Sequence, residues 1–213
     1  ITQLIMSNPV SAISAQTGSG KTLCIPYHLA QHSLKVRVAV PMTVAARSAH
    51  DFQASCSGLR VGFAANREGR YTDYSQIVYG TTGHFTVKIL SIIKRRGAIR
   101  LRALDFQFLG DVFVVDEVHS GTTHITKLIG LLKYIKDRVP DLKTHIVFTS
   151  ATMNSIDIKR YFPDFPVYEV ELARLPITHI YSSQHIDPKI DDPTRDIIDI
   201  IRKELKLMSM APK

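Results

Sequence analysis

Ala15-Gln16-Thr17-Gly18-Ser19-Gly20-Lys21-Thr22 decides how the rest of the chain is read. An apolar run from Val10 to Ala15, with the composition of a buried strand, leads into it. Residues 22–34 follow, where Leu23, Ile25, Tyr27, Leu29, Ala30 and Leu34 predict a mostly buried helix. Strand, glycine-rich turn, Gly-Lys-Thr and helix is the order a phosphate-binding loop requires. Gly18 and Gly20 admit backbone conformations closed to residues with a Cβ. The amides of residues 17–20 can therefore line a nest for phosphate oxygens at the positive end of the following helix. Lys21 is placed for the β- and γ-phosphates, and Thr22 offers a hydroxyl to Mg²⁺. Ala15 stands where the strict pattern has glycine, a small-for-small change. The bland alternative is a glycine-rich turn followed by a chance Lys-Thr.

Around this loop, 213 residues suffice for one large α/β domain, or for one domain and the start of another. Apolar content of 45% and charged content of 22% exclude a disordered chain. A net charge of +8 favours a polyanionic partner, although proteins that touch no nucleic acid also carry such a surplus. Cys24 and Cys56 match no metal spacing and read as reduced core thiols of a reducing compartment, hence a cytoplasmic protein. No apolar run approaches the ~18–20 residues of a membrane span, and no signal-peptide pattern opens the chain. It begins just before a core strand and stops just after an amphipathic helix, which reads as a piece of something longer.

Further along, strands are predicted at Val36–Val40, 59–65, Ile77–Thr81, Val112–Val115 and 145–148. Helices are predicted at 43–55 with Thr43 as N-cap, at 84–94 and at 125–138, and residues 66–76 read as a polar loop. The alternation indicates a parallel, doubly wound α/β sheet whose ligand site lies at the carboxyl ends of the strands. After residue 155 the pattern changes: a short helix at 156–162, then strands at 167–172 and 177–182. A polar, proline-marked stretch at 184–193 precedes an amphipathic helix to about Met208. The expected organisation is a domain over 1–183, a linker over 184–193 and the start of a second domain over 194–213.

The continuous apolar strand Val112–Val115 runs straight into Asp116-Glu117-Val118-His119. A phosphate loop needs such an acidic partner. One carboxylate holds Mg²⁺, assigned to Asp116, and the other orients and deprotonates the attacking water, assigned to Glu117. Taken alone, paired acids at a strand end also describe a solvated turn.

Residues 15–22, Asp116-Glu117-Val118-His119 and Ser150-Ala151-Thr152, in this order, resemble motifs I, II and III of the DExH-box helicases of superfamily two. Pro41-Met42-Thr43-Val44-Ala45-Ala46-Arg47 is similar to motif Ia, and Tyr79-Gly80-Thr81-Thr82-Gly83 to motif Ib. The resemblance covers about residues 10–182 and implies the first RecA-like domain of an NTP-dependent RNA helicase. The Asp-Glu-x-His form leans towards the viral and DEAH-like branch, and the texture is similar to helicases of positive-strand RNA viruses of the flavivirus, potyvirus and hypovirus types. The family implies nucleotide binding by Thr17, Gly18, Ser19, Gly20 and Lys21, with ATP or another NTP as ligand. It implies Mg²⁺ at Thr22 and Asp116, catalysis by Glu117 and Lys21, and coupling between domains by His119, Ser150 and Thr152. It further implies that Pro41, Thr43, Thr81, Thr82 and Gly83 face a single-stranded nucleic acid, RNA in preference, and that a second domain completes the active site. Motif Ia departs from the family pattern: Met42-Thr43 stands where Thr-Arg is usual, so a familiar cation is absent.

Lys94, Arg95, Arg96, Arg100 and Arg102 read either as a solvated charged surface or as an extended phosphate track. Tyr71 and Tyr74 read as loop packing or as base-stacking residues. Two other functions fit the same motifs: a P-loop kinase or translocase that never separates strands, and a nucleotide- or RNA-binding module without turnover.

Overall fold

The computed structural model describes residues 1–65, 68–72, 74–152 and 156–170, together with residues 198 and 201–202. The chain divides into two compact units, Ile1–Ala173 and Arg174–Lys213. Of the second unit, Ile198, Ile201 and Arg202 are described, all helical, and both isoleucines are exposed. The expected strand at 177–182, the linker at 184–193 and most of the last helix lie outside the described residues.

The first unit is built on strands β1 (Val10–Ala15), β2 (Val36–Val40), β3 (Val61–Ala65), β4 (Glu68–Arg70), β5 (Ile77–Thr81), β6 (Val112–Val115), β7 (His145–Ser150) and β8 (Val167–Val170). Its helices are α1 (Thr2–Met6), α2 (Lys21–Gln31), α3 (Thr43–Cys56), α4 (Thr82–Arg96), α5 (Thr123–Arg138) and α6 (Ile156–Tyr161). The sheet order is β4-β3-β5-β2-β6-β7-β1-β8. All neighbours are parallel except the edge pair β3–β4. This is the doubly wound α/β sheet that the sequence predicts.

The continuous apolar strands are explained by two cores, one on each face. Successive side chains of a strand point to opposite faces. Phe113 and Val115 of β6 accordingly join Ile146 and Phe148 beneath α4 and α5, whereas Val112 and Val114 join Val38, Val40 and Val147 beneath α2 and α3. Each central strand is buried on both sides, and the buried charge in β2, Arg37, sits near its amino-terminal end with its guanidinium donating to the carbonyls of Val36 and Ser75. All the sequence motifs gather at the opposite, carboxyl ends.

Several boundaries differ from expectation for local reasons. Met42, in extended conformation, is the N-cap of α3 and Thr43 its first helical residue, with no side-chain cap. Helix α4 begins at Thr82 because the Thr81 hydroxyl caps it, accepting from the His84 amide at 3.1 Å. The polar stretch at 66–76 contains the short strand β4, which pairs antiparallel with β3. Residues Ala103–Leu109, unassigned from sequence, form a 3₁₀ helix that buries Phe106 and Leu109 in the α4–α5 core. Cys24 and Cys56 are exposed free thiols, not core residues, because each falls on the outer side of its helix. Among the described residues, no helix is long and apolar enough to cross a membrane.

Candidate active site at the carboxyl ends of the strands

The phosphate loop leaves β1 at Ala15 and turns through Gly18 and Gly20, whose φ angles of 81° and 79° lie in the left-handed region. Gly20 is also the N-cap of α2, so the first amides of that helix face the concave side of the loop without carbonyls four residues back. The Ser19 hydroxyl is buried with no protein partner, an orphan polar group on the same loop. A bound anion would supply its missing acceptor. Lys21 is buried, and its ammonium is held by the loop itself, donating to the carbonyls of Ala15 at 2.7 Å and Gln16 at 3.1 Å. A charge so placed exchanges carbonyl oxygens for phosphate oxygens at little desolvation cost.

Asp116 is the centre of the arrangement. Its side chain is 1% exposed, and three donors converge on it. Thr22 Oγ1 donates to Oδ2 at 2.5 Å, while the Glu117 amide, at 2.9 Å, and Thr149 Oγ1 both donate to Oδ1. The β6–β7 register explains Thr149. Val115 pairs with Phe148, so Asp116 and Thr149 are the next residues off two parallel neighbours. A hydroxyl and a carboxylate oxygen in contact are hard oxygen ligands of the kind Mg²⁺ takes alongside substrate phosphates. Thr22 and Asp116 therefore fit the expected metal.

Glu117 has φ 56° and ψ 40°, a left-handed conformation unusual for a residue with a Cβ. Such a backbone costs about 1–2 kcal/mol. It turns the carboxylate out of the strand line, where Glu117 Oε2 meets His119 Nε2 at 3.1 Å. His119 Nδ1 accepts from the Ala151 amide at 3.4 Å and lies 3.3 Å from Ser150 Oγ. An Nδ1 that accepts leaves the proton on Nε2, so the imidazole donates to Glu117. His119 thereby links the strand end carrying Glu117 to the strand end carrying Ser150. The Ser150 hydroxyl also closes the turn that follows, donating to Thr152 O at 2.5 Å. Thr152 itself is exposed.

The positions expected to face nucleic acid divide into two groups. Pro41, Thr43 and Gly83 are partly exposed at the strand ends. Thr81 and Thr82 are buried, with the Thr81 hydroxyl occupied in capping α4, so their side chains are not free to meet a ligand. Arg47 packs its guanidinium 4.9 Å above the Phe63 ring. Of the basic run, Arg96 is paired with Asp105 at 2.9 Å, while Lys94, Arg95, Arg100 and Arg102 are exposed. Tyr71 is packed, its hydroxyl 2.6 Å from Lys88 Nζ, and Tyr74 is exposed. A cavity of about 630 Å³ lies at the opposite, amino-terminal end of the sheet, bounded by Lys35, Asp111 and Thr144, and touches none of the motif residues.

Sequence reasoning missed Thr149, Tyr79 and Gln53. Tyr79 is fully buried, and its hydroxyl lies 3.2 Å from Thr22 O and 3.3 Å from Gln53 Oε1. Burial first, and the Asp116 charge second, push its pKa well above the usual phenol value. Thr149 carried a sequence signal as the first residue of the polar group at the end of its strand, and Tyr79 opens the stretch similar to motif Ib, but neither was assigned a role, and Gln53 carried no signal.

Comparison with known proteins agrees with this geometry. A family model described as DEAD/DEAH box helicase matches residues 1–161. The chain is 30% identical over 193 residues to a human protein named probable ATP-dependent RNA helicase DHX34, covering 88% of this chain and 16% of that protein. It is 28% identical over 211 residues to ATP-dependent RNA helicase HrpA of Escherichia coli, covering 94% of this chain and 15% of the relative. It is 25% identical over 184 residues to HrpA of Borreliella burgdorferi, covering 84% and 21% respectively. The chain thus spans about a fifth or less of the length of these relatives.

Proposed function

The chain belongs to the DEAD/DEAH box helicase family, and on that premise we propose that it is the ATP-binding domain of an RNA helicase that couples NTP hydrolysis to movement on RNA. The observation that carries the proposal is the contact of Thr22 with Asp116, which joins the phosphate loop to the strand end that bears Glu117. Residues 17–21 would hold the phosphates of ATP, with Lys21 released from the Ala15 and Gln16 carbonyls to meet them. Thr22 and Asp116 would hold Mg²⁺, which when bound neutralises charge developing on the phosphate oxygens. Glu117, held by His119, would accept a proton from the attacking water as its oxygen bonds to the γ-phosphorus and the bond to the β–γ bridging oxygen breaks. His119 and Ser150 would carry the state of this site to the rest of the molecule.

The similarity of the chain to relatives named RNA helicases supports RNA as the polymer, and so does its +8 charge. Pro41, Thr43 and Gly83 would meet the sugar-phosphate backbone through their exposed surfaces, and Thr81 and Thr82 through their main chain. A domain over 1–183 followed by a linker and the start of a second domain belongs to the same proposal. The second domain would complete the site, so residues 1–213 alone would bind nucleotide and hydrolyse it poorly. The Asp116-Glu117-Val118-His119 form also supports the proposed likeness to viral helicases, and an RNA substrate supports a cytoplasmic location.

The test is the ATPase rate of the full-length protein with and without single-stranded RNA or DNA, beside Glu117→Gln. Hydrolysis that rises with RNA and falls by at least ~100-fold in the variant, with nucleotide binding retained, is expected. Hydrolysis indifferent to both polymers would point to another P-loop enzyme, and none at all to a binding module. RNA-stimulated hydrolysis without strand displacement would identify a translocase.

A further inference from the structure

One turn beyond the phosphate loop, helix α2 contains Pro26. In an α-helix the carbonyl of Thr22 accepts from the amide four residues on. That residue here is Pro26, which has no N–H and whose ring crowds the same carbonyl. Thr22 O is met instead from another element, by the Tyr79 hydroxyl of β5 at 3.2 Å. The same hydroxyl lies 3.3 Å from Gln53 Oε1 of α3. Both distances exceed the ~2.7–2.8 Å of a full O–H···O bond, and a phenol has one hydrogen for two acceptors. The two ends of a glutamine amide are interchangeable as placed. With the amide turned, Gln53 donates to Tyr79 and Tyr79 donates to Thr22, and each group is used once.

We propose that Tyr79 is a positioning residue for Thr22: it replaces the hydrogen bond that Pro26 deletes, and so fixes the hydroxyl that engages Asp116. The same phenol ties the phosphate loop to β5 and, through Gln53, to α3. β5 ends at Thr81, just before Thr82 and Gly83, and α3 begins at Thr43, two residues past Pro41, all among the residues proposed above to face RNA. A ligand that shifts either element would be felt at Thr22. The inference rests on reading the loop as a nucleotide site, but its structural half stands apart from that reading, because the bond is made within the protein.

The experiment is a cycle of Tyr79→Phe, Pro26→Ala and the double variant in the full-length protein. Two quantities are read: the melting temperature without ligand, and the Mg²⁺ concentration for half-maximal binding of a fluorescent ATP analogue. Tyr79→Phe keeps the ring and strands the buried Thr22 carbonyl. It should lower the melting temperature by ~2–6 °C and raise the Mg²⁺ requirement about tenfold. Pro26→Ala restores the missing N–H, so the double variant should recover most of both losses, and Pro26→Ala alone should match the wild type in its Mg²⁺ requirement. A Tyr79→Phe variant with wild-type melting and Mg²⁺ dependence would overturn the proposal, and so would a double variant as impaired as Tyr79→Phe. Should Tyr79→Phe fail to fold, a folded double variant supports the proposal and an unfolded one sinks it. If the wild type binds no nucleotide, the functional reading fails, and the melting cycle alone decides whether Tyr79 stands in for the amide.

Discussion

Thr149 is the most informative single substitution at the site. Its hydroxyl donates to Asp116 Oδ1 in a place that solvent does not reach, both side chains being at most 1% exposed. Thr149→Val keeps the shape and removes the donor. A hydrogen bond to a charged group contributes ~1.5–3 kcal/mol, and no water takes the place of the lost hydroxyl. Asp116 keeps two donors, Thr22 Oγ1 and the Glu117 amide, so the carboxylate is weakened rather than stranded. A loss of about 2 kcal/mol follows, which for a domain of this size lowers the melting temperature by ~4–8 °C. Thr149→Ser is the matched control. It keeps the donor and loses one buried methyl, about 0.8 kcal/mol. Thermal unfolding at pH 7 should therefore rank wild type above serine and serine above valine. Nucleotide binding by the valine variant should also require more Mg²⁺, since Asp116 is less firmly aimed. A valine variant that melts with or above the serine variant would refute the account of Asp116 as a carboxylate organised by three donors.

The ion pair of Arg96 with Asp105 sets an acid-side dependence. Burial, the largest influence on Asp105, pushes its pKa up, but the Arg102 amide and the Arg96 guanidinium together outweigh it and hold the carboxyl below its usual range. A depressed folded pKa means stability present above the ordinary carboxylate range, near ~4, and lost as pH falls through the folded value. The melting difference between wild type and Arg96→Met should be present at pH 7 and shrink towards pH 2; a constant difference would show that the charge pair is not its source. At Gly80 an added Cβ would lie 2.7 Å from Phe85 Cε2 and 2.9 Å from the Ala64 carbonyl. Gly80→Ala should cost ~1–3 kcal/mol by overpacking, read as a lower denaturation midpoint with unchanged slope, and an unchanged midpoint would show that β5 yields more easily than its packing implies.

What was legible in the sequence was local. The phosphate loop is contiguous, and strand, glycines, lysine and helix each announce themselves within a few residues. The same is true of Asp116 and Glu117, which terminate an apolar run. What was hidden depends on strand register or on backbone angles that residue type does not report. Thr149 reaches Asp116 only because β6 and β7 pair with Val115 opposite Phe148. Glu117 adopts a left-handed backbone without being glycine or asparagine, and nothing in its neighbours signals this. Tyr79 opens the stretch similar to motif Ib, but its hydroxyl acquires a purpose only when α2 and α3 are packed over β5. Thr81 and Thr82 fit a ligand-facing motif by position, yet the needs of the α4 N-terminus bury them. Cys24 and Cys56 were assigned to the core by composition, and helix phase turned them outward.

The order of strands in the sheet has a consequence for synthesis. β1, which delivers the phosphate loop, is made before either of the strands it pairs with, since Val10 lies opposite Ile146 on one side and Ala12 opposite Val167 on the other. At ~5–20 residues per second, β1 waits on the order of ten seconds for its first partner to be translated. Throughout that interval its apolar residues have no sheet to enter, which makes the nascent chain a natural client for holding factors. A fragment ending before His145 would have β2, β3, β5 and β6 in place and still lack a housed phosphate loop. The phosphate loop is thus made more than a hundred residues before the strand that first houses it.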